Sequence, residues 1–260
     1  MLRARRETES RDDKFVGWLR WWEGFTNPEG FSIERARQEV FMKNKGFSLT
    51  GNQLKILAMI AMTCDHVGLQ LLPGVPVLRI IGRLALPIYA FLIAEGCRHT
   101  RSRLRYLLRM AAMAAVCQVV YWFAMGSLYM CILVTFCLSI GMIWVWEENR
   151  KLAPFVTLGV FFLCVVLPDL LPGFEIDYSL AGVLLPVFLY FGKPMPGFLC
   201  LGLALLGLSL GGIQWWAFAA VPLLMLYNGK RGKRSLGRLF YWYYPVHLVV
   251  IYLLSMLTLP

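Results

Sequence analysis

Long runs of apolar residues alternate with short polar connections from residue 54 to the end of the chain. About 20 apolar residues in a helix cross the roughly 30 Å hydrocarbon core of a bilayer, and runs close to this length recur here. Nine such segments can be drawn, at 54–72, 77–97, 104–124, 128–146, 154–171, 178–191, 196–210, 213–228 and 238–258. We therefore predict an all-α fold, a polytopic integral membrane helix bundle of about nine transmembrane helices.

The composition favours the same interpretation. The chain has 260 residues, of which 58% are hydrophobic and 16% are charged. Soluble domains contain about 25% charged and about 45–50% apolar residues, so a soluble enzyme is excluded. The seven cysteines are scattered and form no CxxC motif, so the sequence supports neither a disulfide framework nor a metal site.

The charges of the connections predict an orientation. Lysine and arginine occur in every second connection, at 98–103, 147–153, 192–195 and 229–237, and are missing from the alternate ones at 73–76, 125–127, 172–177 and 211–212. Cytoplasmic loops carry the excess of Lys and Arg, so the amino terminus is predicted to be cytoplasmic and the carboxyl terminus external. Most of the net charge of +11 is thereby an orientation signal, and no nucleic-acid partner is expected.

The chain before the first apolar segment forms a separate region. We divide the protein into a cytoplasmic N-terminal helical segment, 1–53, and a transmembrane domain, 54–260. Trp18, Trp22 and Phe25 recur at helical spacings of three and four and predict a helix with one aromatic face. Trp favours the headgroup region, so this helix either lies on the bilayer surface or packs as a cap on the membrane domain.

Ionisable residues inside apolar segments are the main functional signal. Asp65 and His66 lie within the first segment, where a buried charge costs roughly 2.5–3.5 kcal/mol. At 1.5 Å per residue His66 is about 18 Å from the cytoplasmic start, at the depth of Arg83, and Arg79 is one turn away. We predict an ion pair of Asp65 with Arg83 or Arg79, although such a pair is also compatible with a purely structural role.

His66 is predicted to face a cavity. It follows Asp65 directly and therefore points about 100° away from it around the helix. A second histidine, His247, lies near the middle of the last segment.

Four stretches and one further residue resemble the TraX family of bacterial integral-membrane proteins, which is named for the F-pilin acetylase. They are LKILAMIAMTCDHVG (54–68), IGRLALPIYAFLIAEGCRHTRSRLRYLLR (81–109), Thr135 in the fourth segment, DYSLAGVLL (177–185) and LLMLYNGKRGKRSLGRLFYWYYPVHL (223–248). They span nearly all of the chain after residue 53, and their combination is specific although no single one would suffice.

The resemblance implies a membrane acyltransferase of the bacterial plasma membrane with acetyl-CoA as donor. The acceptor in the founding case is the amino terminus of pilin, but most relatives have no pilus, so a protein N-terminus, a glycan or a lipid all stay open. His66 matches the catalytic histidine by position, and Asp65, Arg83 and His247 are predicted to act with it. The predicted substrate-binding residues are Arg79, Glu95, His99, Arg101, Thr135, Asp177, Lys230, Arg231 and Tyr244.

The residue chemistry suits this reaction independently. Acyl transfer from a thioester needs a base for the attacking amine or hydroxyl, and a neutral imidazole suits that task. Arginine can stabilise the oxyanion, and the basic clusters at 98–109 and 230–238 can hold the phosphates of CoA. A transporter or flippase for an anionic lipid or small molecule is the alternative, although no internal repeat typical of such carriers is visible. A non-catalytic assembly subunit is a third possibility.

Overall fold

The computed structural model describes residues 48–125, 128–192, 196–232 and 237–258, and these are almost wholly helical. The predicted all-α class is thus confirmed, and the predicted aromatic helix near Trp18 lies outside the described residues. The helices are α1 (Gly51–Gln70), α2 (Pro76–Gly82), α3 (Ala85–His99), α4 (Arg103–Met125), α5 (Ile132–Glu148), α6 (Ala153–Phe161), α7 (Leu167–Leu170), α8 (Ser179–Phe191), α9 (Pro196–Leu210), α10 (Ala220–Met225) and α11 (Gly237–Thr258).

Three helical segments of the described chain are long and apolar enough to cross a membrane, at Pro76–His99, Arg103–Phe123 and Ala153–Leu170. Large apolar side chains such as Leu108, Phe123, Phe155 and Leu208 are exposed on the helix surfaces, as expected for lipid contact. These features are those of a membrane protein, while the count of nine spans and the orientation stay predictions.

Helix α1 begins in a capping box. The hydroxyl of Thr50 accepts from the amide of Gln53 at 3.4 Å, and the side chain of Gln53 accepts from the amide of Thr50 at 2.8 Å. This reciprocal pair satisfies two amides that the first helical turn cannot. The carbonyl groups of Lys230 and Arg231 accept from the next two amides, of Gly51 and Asn52. The start of α1 is therefore tied to the chain segment that precedes α11.

The second predicted segment is interrupted at Arg83. The amide of Arg83 bonds to the carbonyl groups of both Arg79 and Ile80 at 3.2 and 3.1 Å, which tightens the last turn of α2. Pro87 lies four residues later in α3 and has no amide hydrogen to donate to the Arg83 carbonyl. The predicted helix 77–97 therefore forms as two helices, and the break places Arg83 between them.

Irregular backbone gathers at the ends of several other helices. A π-helical turn, Phe162–Val166, joins α6 to α7, and a 3₁₀ helix, Gly212–Ala219, precedes α10. Two short strands, β1 (Tyr129–Met130) and β2 (Glu175–Ile176), pair in parallel. The buried core lies chiefly between α1, α3, α5, α8 and α9, with Leu54, Ile88, Ile140, Leu185 and Leu203 among its fully buried side chains.

Candidate functional site

A cavity of about 660 Å³ opens among these irregular segments. Its walls come from the end of α1, from α2, from α4, from the two strands, and from the segments before α8 and α10. The polar side chains that line it are Asp65, His66, Gln70, Arg79, Arg83, Tyr121, Tyr129, Glu175, Asp177, Tyr178, Ser179 and Gln214. Such a concave pocket with convergent polar groups is the usual form of a small-molecule site.

Asp65 forms ion pairs with two arginines, Arg79 in α2 and Arg83 directly after it. One guanidinium nitrogen of Arg79 lies 2.8 Å from Oδ2 of Asp65, and Arg83 donates to Oδ1. The sequence predicted one of these pairs, and the structure forms both. One carboxylate between two guanidinium groups leaves one net positive charge at the cavity wall.

Two glycines allow the carboxylate to reach this position. A Cβ atom on Gly82 would lie 2.2 Å from Oδ1 of Asp65, and one on Gly68 would lie 2.8 Å from the Cβ atom of Leu78. Helices α1 and α2 therefore approach each other through glycine, as closely as backbone without side chains permits.

Arg83 is held from two further directions. It is 7% exposed, and it donates to Oε1 of Gln214 at 3.0 Å and to the hydroxyl of Tyr178 at 3.4 Å. Sequence reasoning missed both partners. The available signals were the isolated amide of Gln214 inside the apolar segment 213–228 and the position of Tyr178 in the family-like stretch DYSLAGVLL.

The two membrane histidines meet at the cavity wall. Nδ1 of His66 lies 2.8 Å from Nε2 of His247, and Nδ1 of His247 lies 2.9 Å from the carbonyl oxygen of Tyr243. A carbonyl only accepts, so Nδ1 of His247 carries the hydrogen. When both rings are neutral, Nε2 of His247 then accepts from Nδ1 of His66. This chain leaves the lone pair of His66 on Nε2, which is the form a general base needs.

Asp177 lines the cavity from the short segment directly before α8. Its Oδ1 accepts from the Tyr129 hydroxyl at 2.7 Å, and its carbonyl accepts from the Thr135 hydroxyl at 2.7 Å. Burial raises the pKa of this carboxyl to about 6, against the opposing effects of the Tyr129 hydrogen bond and of Arg83. The sequence predicted that Asp177 begins the sixth helix, whereas α8 starts two residues later.

The turn after Asp177 is strained. Tyr178 and Ser179 have φ angles of 60° and 48°, in the left-handed region that residues other than glycine rarely adopt. A Cβ atom on Gly182 would lie 2.5 Å from that of Tyr178, so the turn needs glycine one helical turn later. Backbone strain of this kind is concentrated at functional sites.

Tyr244 also belongs to this site. It is buried, its ring packs edge-on against His247 with the centroids 5.3 Å apart, and it lines a second, smaller cavity beside His66. Of the predicted site residues, the structure thus assembles Asp65, His66, Arg79, Arg83, Thr135, Asp177, Tyr244 and His247.

The remaining predicted residues lie away from the cavity. Glu95 is near the end of α3, 2.6 Å from Arg98 and 3.4 Å from His99, and its carboxylate accepts from the Tyr227 hydroxyl. The side chain of His99 is 74% exposed. Arg101, Lys230 and Arg231 are exposed as well. Within the described ranges, no group of three or more His, Cys, Asp or Glu side chains could hold a metal ion.

Comparisons with known proteins agree with the resemblance in the sequence. The chain is 27% identical over 242 residues to the "Probable fimbrial assembly protein FimC, serogroup H1" of Dichelobacter nodosus, covering 80% of this chain and 96% of that protein. It is 58% identical over 38 residues to the "Uncharacterized protein RP591" of Rickettsia prowazekii (strain Madrid E), which is 15% of each chain.

No solved structure matches this fold. The family model described as "TraX protein" matches residues 50–255. This range includes every residue of the cavity and both membrane histidines, and the chain therefore belongs to the TraX family.

Proposed function

We propose that this protein is a membrane acyltransferase that moves an acyl group from a cytoplasmic acyl-CoA to an amine or hydroxyl of an acceptor. The observation that carries the proposal is the hydrogen-bonded pair of His66 and His247 at the wall of a 660 Å³ cavity. The pair presents Nε2 of His66 as a base next to two guanidinium groups. The relative in Dichelobacter nodosus, named for fimbrial assembly, makes a surface protein a reasonable acceptor to test first.

In the proposed reaction, Nε2 of His66 takes the proton of the attacking amine or hydroxyl. The new N–C or O–C bond forms at the thioester carbonyl, and the C–S bond breaks. The proton on His66 then passes to the departing CoA thiolate, which leaves as the free thiol. His247 accepts a hydrogen bond from Nδ1 of His66 throughout, so the ring that takes the proton keeps its orientation.

The two arginines would stabilise the negative charge that develops on the carbonyl oxygen of the thioester. Arg79 and Arg83 line the same cavity as His66, and Asp65 neutralises only one of their two charges. Because Asp65 and Gln214 hold the guanidinium groups before any substrate arrives, they need little reorganisation during the reaction, and such preorganised donors stabilise an oxyanion strongly.

The proposed topology is nine spans, with the amino terminus in the cytoplasm. Exposed Arg101, Lys230 and Arg231 then lie on the cytoplasmic side, where they can bind the phosphates of the donor. In this orientation the cavity would lie nearer the outer side and would admit an external acceptor. Donor and acceptor would thus approach His66 from opposite faces of the membrane.

A transporter or flippase for an anionic lipid or small molecule is the second candidate. The net positive charge of the Asp65, Arg79 and Arg83 cluster at a wide cavity favours it, since an anionic head group would be attracted there. It predicts binding or movement of an anion without acyl transfer.

Labelled acetyl-CoA given to membranes with and without this protein separates these functions. Label that enters a protein, glycan or lipid fraction only when the protein is present supports the acyltransferase. Absence of transfer, together with failure of the purified protein to bind CoA, would overturn it in favour of a transporter or an assembly subunit.

A further inference from the structure

A second, smaller cavity lies directly beside His66. It measures about 50 Å³ and shares Asp65, His66, Asp177 and Tyr178 with the 660 Å³ cavity. The two cavities therefore border on the same histidine.

The two cavities differ in chemistry. The large one is lined mostly by polar side chains, whereas the walls that belong to the small one alone are largely apolar. Those walls are Met62, Ala85, Leu86, Tyr89, Ile132 and Phe136, with Gly82 and Tyr244. An apolar recess next to a base suits the hydrocarbon part of a reacting group, and the polar cavity suits the nucleophile.

The size of the small cavity limits what fits. One water-sized group needs about 10–15 Å³ of such volume, so about 50 Å³ holds roughly three to five non-hydrogen atoms. That corresponds to an acyl group of about two to four carbons, much shorter than a fatty acyl chain.

The walls are packed tightly enough to keep this limit. Met62 is 7% exposed, and Leu86 and Phe136 are 3% exposed. They come from α1, α3 and α5, of which α1 and α5 both pack against α3, and protein interiors at native density do not open to extra methylene groups without strain.

We propose that the small cavity is the acyl pocket of the enzyme and that Met62 and Phe136 limit the donor to short acyl groups. This inference rests on the proposed acyltransferase function and assigns residues that select its donor. The acyl chain would extend from the thioester carbonyl at His66 into the recess, between walls that include Met62 and Phe136.

The test compares acetyl-, butyryl-, hexanoyl- and palmitoyl-CoA as donors for the full-length protein in membranes. Wild type should transfer acetyl and butyryl groups and discriminate strongly against hexanoyl and palmitoyl groups. Phe136→Ala and Met62→Ala should each raise the hexanoyl-to-acetyl ratio about tenfold or more, since one methylene in an apolar pocket is worth roughly 10–200-fold. The two substitutions lie on different helices, so agreement between them does not depend on one local rearrangement.

Ile143→Ala is the matched control, because Ile143 is fully buried in α5 and lines neither cavity. It should lower thermal stability as the other two do but leave the chain-length ratio unchanged. Wild-type transfer of palmitoyl groups as fast as acetyl groups would overturn the acyl pocket while leaving the acyltransferase intact, and so would a ratio unchanged in both Met62→Ala and Phe136→Ala. No transfer from any donor would instead overturn the proposed function, and the pocket with it.

Discussion

Two clusters of charged residues use the same residue types for different ends. The cavity cluster consists of Asp65, Arg79 and Arg83, and the α3-end cluster is centred on Glu95 and Arg98. In the first, both guanidinium groups converge on one carboxylate at the wall of a 660 Å³ cavity. In the second, the guanidinium of Arg98 also donates hydrogen bonds to a neighbouring helix.

Arg98 shows what the second cluster does. Besides its pair with Glu95, it donates to the carbonyl groups of Leu189 and Tyr190 at the end of α8, the latter at 2.9 Å. The last carbonyl groups of a helix have no partner within it, and a basic side chain commonly satisfies them. This arginine therefore fastens α3 to α8. Comparison of the clusters teaches that charge density alone does not mark a site, and that the atoms each charge reaches decide its role.

The largest expected effect of a substitution is on His66. His66→Ala should reduce acyl transfer by about 10²–10⁴-fold, the usual contribution of a general base, while the protein still binds CoA. Transfer assays on membranes, together with CoA binding and thermal melts of the purified variant, check this. Near-normal transfer by His66→Ala would move the role of base to another group, with His247 the first to test.

Removing the carboxylate of each cluster should lower the free energy of unfolding by different amounts. Asp65→Ala strands the buried Arg83 and should lower the free energy of unfolding by about 3–5 kcal/mol. Glu95→Ala should cost less, about 1–3 kcal/mol, because Arg98 keeps its carbonyl partners while the Tyr227 hydroxyl loses an acceptor. Thermal melts in detergent measure both. Asp65→Asn combined with Arg83→Gln should recover stability relative to either single change, and equal losses in Asp65→Ala and Glu95→Ala would remove the distinction between the clusters.

The raised pKa of Asp177 predicts a pH dependence at the cavity. The folded state binds this proton more tightly than the unfolded state, whose carboxyl titrates near 3.8. Stability from this group is therefore present below pH 4 and is lost as pH rises to about 6, by at most about 3 kcal/mol at 1.36 kcal/mol per pKa unit. The difference in melting temperature between wild type and Asp177→Asn, followed from pH 4 to pH 7, isolates it. A difference that does not change with pH would contradict the assignment.

A methyl group on Gly82 should disturb the cavity cluster specifically. Gly82→Ala places Cβ 2.2 Å from Oδ1 of Asp65, and overpacking of this kind typically costs about 1–3 kcal/mol. Gly141 is the control, since a Cβ atom there meets nothing within 4 Å in the middle of α5. Gly141→Ala should be neutral or slightly stabilising because alanine favours helix. Melts that rank the two variants in the reverse order would show that α1 and α2 can separate without cost.

The smallest effect is expected at the exposed basic loop before α11. Lys230→Gln with Arg231→Gln should weaken CoA binding by about thirtyfold or less, as exposed ion pairs contribute roughly 1 kcal/mol each at most. The loss should shrink as salt rises, because exposed charges are screened. Titration of CoA at low and high salt measures it, and unchanged affinity at low salt would exclude these residues from donor binding.

Much of the site was predictable because burial of charge in apolar segments is costly. That cost singled out Asp65, His66, Arg79, Arg83 and His247, and the match in depth predicted the pairing of Asp65 with an arginine. The break of the second segment at Arg83 was not predicted. It depends on Pro87 and on a tight last turn of α2, which a hydropathy pattern does not register. The place of Gln214 in the cavity was also missed, since an isolated amide carries no periodicity.

The helical class, the limits of the apolar segments to within a few residues, and the ionisable groups that need partners all follow from the amino-acid sequence. Those properties follow from hydrophobicity, capping residues and local charge, all of which act over a few residues. The packing of the folded chain is needed to bring His66 and His247, 181 positions apart, into a shared hydrogen bond. It is also needed for a polar and an apolar cavity to border on the same histidine. Such relations depend on how distant helices rotate and pack against one another, and close packing of whole helix faces, rather than any local pattern, sets that geometry.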